Sequence, residues 1–131
     1  MMCDIIKKKY CLAVGASSKA NNIDAVKELQ QALDGLEIQF SFIATLDKFR
    51  HSVWLPYLES YFAVPIFLLP ISSLQKHQPH IEKPSMKVFQ ETGYYGIAEA
   101  LALAAFDGNA KLIVPKTVCC GFTYAIACEN F

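Results

Sequence analysis

A chain of 131 residues makes one ordinary domain, and at 53% hydrophobic and 18% charged it is core-rich, not disordered. Its formal net charge of +0 offers no bulk attraction to nucleic acid or an anionic membrane, leaving room only for a local basic site. No apolar run approaches the ~18 residues of a membrane-spanning helix, and the longest, residues 61–71, contains two prolines.

Residues 1–8 predict a flexible extension. Three lysines at 7–9 precede an apolar stretch too short for a secretory signal and soon interrupted by Lys19, so the expected location is the cytoplasm. Residues 10–15 (YCLAVG) predict a first buried strand. The loop at 15–22 then opens a helix at 23–33, with Asn22 as N-cap and Ile23, Val26, Leu29 and Leu33 on one face. Gly35 suits its C-terminal stop. Residues 37–44 alternate, with Ile38, Phe40 and Phe42 on one face, and predict a second strand. Residues 45–48 (TLDK) predict a strand-to-helix loop, followed by a helix at 53–62 that places Pro56 near its start, where proline is tolerated.

Residues 65–69 predict a short third strand. Ser72 suits the cap of a short helix reaching residue 75 or 77, and Ser85 the cap of one reaching residue 91. An alanine-rich helix follows at 96–106, with Ile97, Leu101 and Ala104-Ala105 on its apolar face, and Asp107-Gly108-Asn109 breaks it. Residues 111–114 predict a buried strand closed by Pro115, and 122–128 a last strand apolar on both faces. Alternating strands and helices argue for a three-layer α/β/α single domain with a mixed, mostly parallel sheet of about five strands. The connection at 115–121 is too short for a helical crossover, so the last two strands should pair antiparallel.

In open α/β sheets ligands bind at the carboxyl ends of strands, near helix N-termini. The first loop offers Gly15, Ser17, Ser18 and Lys19, whose backbone N–H groups, hydroxyls and ammonium suit a carboxylate or phosphate; as a bare motif the same residues read first as a structural strand-to-helix turn. The second offers Thr45 and Asp47, the latter either a general base or a helix cap. In the third, Lys116 directly follows a strand, as a ligand-facing ammonium or a solvated one. Glu99, among alanines, reads as a proton-transfer carboxylate or as a favourable charge in the helix's first turn. Tyr94 and Tyr95, flanked by glycines, form either a flat stacking surface or a packing contact.

His77 and His80 have Pro79 between them and no third ligand in view, so no metal is expected, and no cofactor. Five cysteines, an odd count without a C-x-x-C, predict reduced thiols, with a redox switch as the rival reading; the adjacent Cys119 and Cys120 would bridge only with strain.

The tail of the chain resembles a known family. A turn glycine, then Ala98-Glu99-Ala100, then Leu112-Ile113-Val114-Pro115-Lys116, then Thr123-Tyr124-Ala125-Ile126-Ala127 is similar to the C-terminal domain of the cobalamin-biosynthesis proteins CobE and CbiG, whose segments read V-A-E-A, L-x-V-x-K and T-x-A-I-A. The family's first loop reads G-x-G-C-R-x-G. Gly15 matches it, whereas Ser17, Ser18, Lys19 and Asn21 stand for glycine, cysteine, arginine and glycine. Lysine keeps the charge without the forked reach of arginine. Residues 45–48 resemble T-I-D-x-K with one residue missing before the lysine.

The resemblance implies a stand-alone, CobE-like domain that binds or acts on a precorrin or corrin-type tetrapyrrole, held by Lys19, Lys116 and helix N-termini. A hydrolytic step like the lactone opening of CbiG would fall to Asp47 or Glu99. The alternative is a non-catalytic interaction protein that contacts another corrin-pathway enzyme or itself as a homo-oligomer.

Overall fold

The computed structural model describes residues 8–17, 23–74 and 97–130. Five strands form one sheet: β1 (Tyr10–Ala16), β2 (Phe42–Leu46), β3 (Ile66–Leu69), β4 (Ala110–Cys119) and β5 (Phe122–Glu129). Their spatial order is β3-β2-β1-β5-β4. β1, β2 and β3 pair in parallel, whereas β5 pairs antiparallel with both β1 and β4. Four strands therefore share one direction and β5 alone is reversed, which is the expected mixed sheet.

Helices α1 (Ile23–Asp34) and α2 (Trp54–Phe62) cover one face, and α3 (Ile97–Ala104) the other. The layers follow from the pleat, because alternate residues of a strand face opposite sides. Leu12 and Val14 of β1, with Phe122, Tyr124 and Ile126 of β5, meet Val26, Leu29 and Leu33 of α1 and Trp54, Leu55 and Leu58 of α2. The intervening Cys11, Ala13, Ala125 and Ala127 meet Ala98, Leu101 and Ala102 of α3.

Several expected boundaries move. Ile23 is exposed, because at 100° per residue it lies beyond the stripe set by Ala25, Val26, Leu29 and Leu33. The second strand starts at Phe42, not residue 37. Glu37 takes a left-handed φ of 55°, and the Ser41 N–H donates to the Tyr10 carbonyl at 2.8 Å. Phe40 consequently packs in the α1/α2 layer and Phe42 in the α3 layer, so the alternation read from 38 to 42 breaks at Ser41. β4 runs on through Pro115 to Cys119, because an outer strand keeps one side free of ladder bonds and can carry a proline. The seven-residue connection shrinks to Cys120-Gly121, with φ of 53° and 88°; two consecutive positive φ values suit the twist of a two-residue hairpin.

α3 ends in a Schellman closure, Gly108 N–H to Leu103 O and Asp107 N–H to Ala104 O, both 2.9 Å, with Asp107 in the left-handed position at φ 52°. Burial in α3 runs from Ala98 through Leu103 and is not confined to one stripe. Residues 71–74 form one tight turn. The remainder of the predicted short helices at 72–77 and 86–91, the Asn22 cap and residues 1–7 of the predicted extension lie outside the described residues.

Ala125 and Ala127 are fully buried in the layer that holds Ala98, Ala100, Leu101 and Ala102 of α3, where the β5 side chains are one methyl deep. Ala125→Leu should therefore overpack this layer and lower stability by about 1–3 kcal/mol, read as a fall in the urea midpoint at unchanged m-value. An unchanged midpoint would mean that α3 does not lie against β5.

Candidate functional site

The segments nominated after β1, after β2 and along β4 reach one rim of the sheet, because these three strands run the same way. β5 begins at that rim, and its turn is tied to the β1 loop by the Ser17 N–H, which donates to Gly121 O at 2.8 Å. Cross-strand register aligns Val14 with Tyr124 and Tyr124 with Thr117. With strands about 4.8 Å apart, the end of β1 and the Lys116 region are separated by about 10 Å, with β5 between them. Gly15 has no positive φ, and a Cβ there would meet only Phe49 Cε2 at 4.0 Å. Neither backbone conformation nor crowding by described atoms demands glycine at this position.

Thr45 and Leu46 belong to β2 and not to a loop. Thr45 is 0% exposed, and its hydroxyl donates to the Val14 carbonyl at 2.6 Å. That bond satisfies a buried hydroxyl and fastens β2 to β1 just below the rim. Asp47 opens a 3-10 turn, Asp47–Phe49, without capping it. Its carboxylate is instead gripped by Arg50, through Nη2 and, at 3.1 Å, through Nε. The Lys48 ammonium lies 5.1 Å from the Phe49 ring centroid, and that ring borders Gly15.

Lys116 is half-buried within β4 and does not follow its end. The β4–β5 register slips twice, between Leu112 and Val114 and again between Val114 and Thr117. In the second bulge the Lys116 N–H donates to Glu99 Oε2 at 3.0 Å, and the Thr117 hydroxyl donates to the Pro115 carbonyl at 2.9 Å. Glu99 is 0% exposed, so its first-turn position in α3 is a buried one.

At the hairpin tip the exposed Cys120 thiol donates to Glu28 Oε2 of α1. That hydrogen bond to an anion is the main reason the thiol is pushed up to about 12, since losing the proton would set two negative charges together. Burial pushes the Cys11 thiol up as well, and burial together with the nearby Cys119 raises the Tyr124 phenol.

Of the residues predicted from sequence, Gly15, Ser17, Thr45, Asp47 and Lys116 share the rim region, and Glu99 joins Lys116 from below. Ser18, Lys19, Tyr94, Tyr95, His77 and His80 lie outside the described residues. Among the described residues no group of three or more His, Cys, Asp or Glu side chains is placed to hold a metal. Two neighbours went unnoticed in the sequence, Arg50 and Glu28, whereas Lys48 belongs to the 45–48 segment predicted from it. The Asp47–Arg50 spacing of three was a readable signal, whereas Glu28 and Cys120 are 92 positions apart and carried none.

Residues 10–127 match the family model for the cobalamin synthesis G C-terminus. A curated relative, protein CobE from Sinorhizobium sp, is 33% identical over 85 residues, 65% of this chain. The chain matches 55% of that relative's length. Among solved structures, the crystal structure of CobE, from the cobalamin biosynthetic pathway, superimposes with a TM-score of 0.79 at 23% identity, over 94% of this chain and 92% of the other. The cobalamin biosynthesis protein chiG from Agrobacterium tumefaciens str. C58 gives a TM-score of 0.64 at 19% identity, over 90% and 96%. These two likenesses establish the shared fold.

Two expected outcomes follow from the geometry. Thr45→Val keeps the side-chain volume but removes the bond to Val14, and should cost about 1 kcal/mol in chemical denaturation. Glu28→Ala removes the acceptor that holds the Cys120 proton, so the thiol falls toward its ordinary 9.0. Alkylation of Cys120 at a pH of about 8.5, followed by peptide mass spectrometry, should then be faster in the variant; equal rates would rule out the Glu28 contact.

Proposed function

The chain belongs to the cobalamin synthesis G C-terminus family and is a cobalamin-biosynthesis protein of the CobE/CbiG type, and on that premise we propose that it binds a carboxylate-rich precorrin or corrin-type tetrapyrrole at the rim described above. The observation that carries this reading is the gathering of Gly15, Ser17, Lys48 and Lys116 along the carboxyl-end side of β1, β2 and β4, where an α/β sheet ordinarily takes its ligand, while Thr45, expected to join them, is enclosed and spends its hydroxyl on the Val14 carbonyl. Lysines there supply charge to propionate- and acetate-type side chains, Lys19 among them in this proposal. Gly15 lets the macrocycle approach the backbone beside the Phe49 ring, and Tyr94 and Tyr95 offer it a stacking surface. On this proposal binding takes place in the cytoplasm.

Any hydrolytic step falls to Asp47, which solvent reaches, and not to the enclosed Glu99. A second reading has one specific support. β4 is an outer strand whose Val118 is 67% exposed and whose Ile113 is also exposed, which suits a contact with another pathway enzyme or a second copy.

Titration with hydrogenobyrinic acid, followed by the pigment's absorption band, tests the first reading. Lys116→Ala and Lys19→Ala should each weaken binding about fivefold, the equivalent of roughly 1 kcal/mol for an exposed ion pair, and more so at low salt. Gly15→Ala should weaken binding while leaving the denaturation midpoint unchanged or slightly higher. No spectral change at saturating pigment, together with an assembly that Val118→Lys dissociates in sedimentation equilibrium, would replace this reading with the second.

A further inference from the structure

We propose that Glu99 is a positioning residue for Lys116: its enclosed carboxylate holds the bulged backbone of β4 and fixes the point from which the lysine side chain leaves the strand. The proposal rests on the reading of Lys116 as a ligand contact and adds to it the residue that makes the contact reproducible.

The bulge sets the problem. Between the pairs Val114↔Ile126 and Thr117↔Tyr124, β4 carries Pro115 and Lys116 where β5 carries Ala125 alone. One residue is surplus to the ladder, and Pro115 has no N–H to contribute. Such a segment in an outer strand is the part of a sheet least constrained by its neighbours.

Two side chains remove that latitude. Thr117, itself registered on Tyr124, donates its hydroxyl to the Pro115 carbonyl at 2.9 Å. Glu99, 17 residues earlier on α3, accepts the Lys116 N–H at 3.0 Å. The peptide group joining Pro115 to Lys116 is thus held at both ends, at its oxygen and at its nitrogen. A peptide plane fixed at both atoms leaves the Cα of Lys116 little freedom to shift.

A carboxylate is a costly way to do this if stability were its whole purpose. Enclosing a carboxyl group among apolar side chains costs free energy that only its hydrogen-bond partners offset. The neighbouring positions Ala98, Ala100 and Ala102 show that an apolar side chain suits this helix. A charge-assisted bond is shorter and about twice as strong as a neutral one. A carboxyl oxygen at this position is placed to hold the Lys116 N–H, which none of the neighbouring alanines could do.

Glu99→Ala, Glu99→Gln, Lys116→Ala and the Glu99→Ala/Lys116→Ala double variant test the proposal in the full chain. Amide hydrogen exchange at Lys116, resolved by NMR, should quicken about tenfold in Glu99→Ala and less in Glu99→Gln, whose neutral amide oxygen still accepts. Affinity for hydrogenobyrinic acid should fall in Glu99→Ala by about the same factor as in Lys116→Ala. The double variant should bind no more weakly than Lys116→Ala alone, since two residues acting through one contact do not add. A merely structural role would lower stability without this non-additivity.

Losses that add, or a Lys116 amide that exchanges at the wild-type rate in Glu99→Ala, overturn the proposal. Where the alanine variant fails to fold, the glutamine variant decides by the same exchange measurement. A Lys116→Ala protein that binds pigment like wild type overturns the ligand contact instead, and the exchange rate still determines whether Glu99 holds the bulge.

Discussion

The closeness of α3 to the sheet is the constraint on which most of the molecule depends. Ala13, Ala44, Ala125 and Ala127 line the sheet side, and Ala98, Ala100 and Ala102 belong to the helix. Side chains of one carbon at most of the facing positions, with Leu101 as the larger residue of the helix, let the two backbones approach more closely than a leucine-lined layer would. The short distance has a chemical consequence: Glu99, with only two methylenes, spans from the first turn of α3 to a backbone N–H of β4. Larger residues in this layer would lift the helix and break that reach before they disturbed the opposite core, which is built from Leu12, Leu29, Leu58, Trp54 and Phe122.

The reversed β5 matters for a different reason. A wholly parallel sheet would need a further crossover to bring a strand beside β1. A two-residue turn at Cys120-Gly121 does it directly and leaves β4 running with β1 and β2. The ends of three strands thereby gather on one rim from segments that are far apart in sequence. The Ser17–Gly121 bond and the Thr45–Val14 bond lock this convergence from either side of β1. Thr45 thus serves the rim through its neighbour's backbone, with its own hydroxyl turned inward.

Much of this was legible in the residues. The strands at 10–15, 65–69 and 122–128 and the helix at 23–33 are bounded by glycine, proline or a polar turn, and each falls within a residue or two of its observed limits. Legibility failed where tertiary context outweighs local pattern. Ile38, Phe40 and Phe42 alternate like a strand, but only Phe42 has a parallel neighbour, and pairing rather than pattern starts β2. Pro115 reads as a stop, and stops nothing in an outer strand that can bulge. The site was legible as a set of loops, through the strand-end rule and the family's lysine and threonine-aspartate segments. Its inner wiring was not: a side chain reaching a backbone N–H 17 residues away, or a thiol finding a carboxylate 92 residues away, leaves no periodicity to read.

The state of the two carboxylates bears on binding as against turnover. A general base must accept a proton from water held within hydrogen-bond reach, so it needs both access and a spare acceptor direction. Glu99 is enclosed and turned toward the Lys116 amide. Asp47 has access, but its Oδ1 is gripped by a guanidinium that would have to swing away before that oxygen drew a proton from water. That swing is feasible at an exposed pair, where the attraction amounts to no more than about 1 kcal/mol. A tetrapyrrole carboxylate arriving at the rim would itself compete for Arg50. In that event ligand binding and release of Asp47 become one step, and an Arg50→Ala protein would separate them, losing affinity while leaving Asp47 permanently open to solvent.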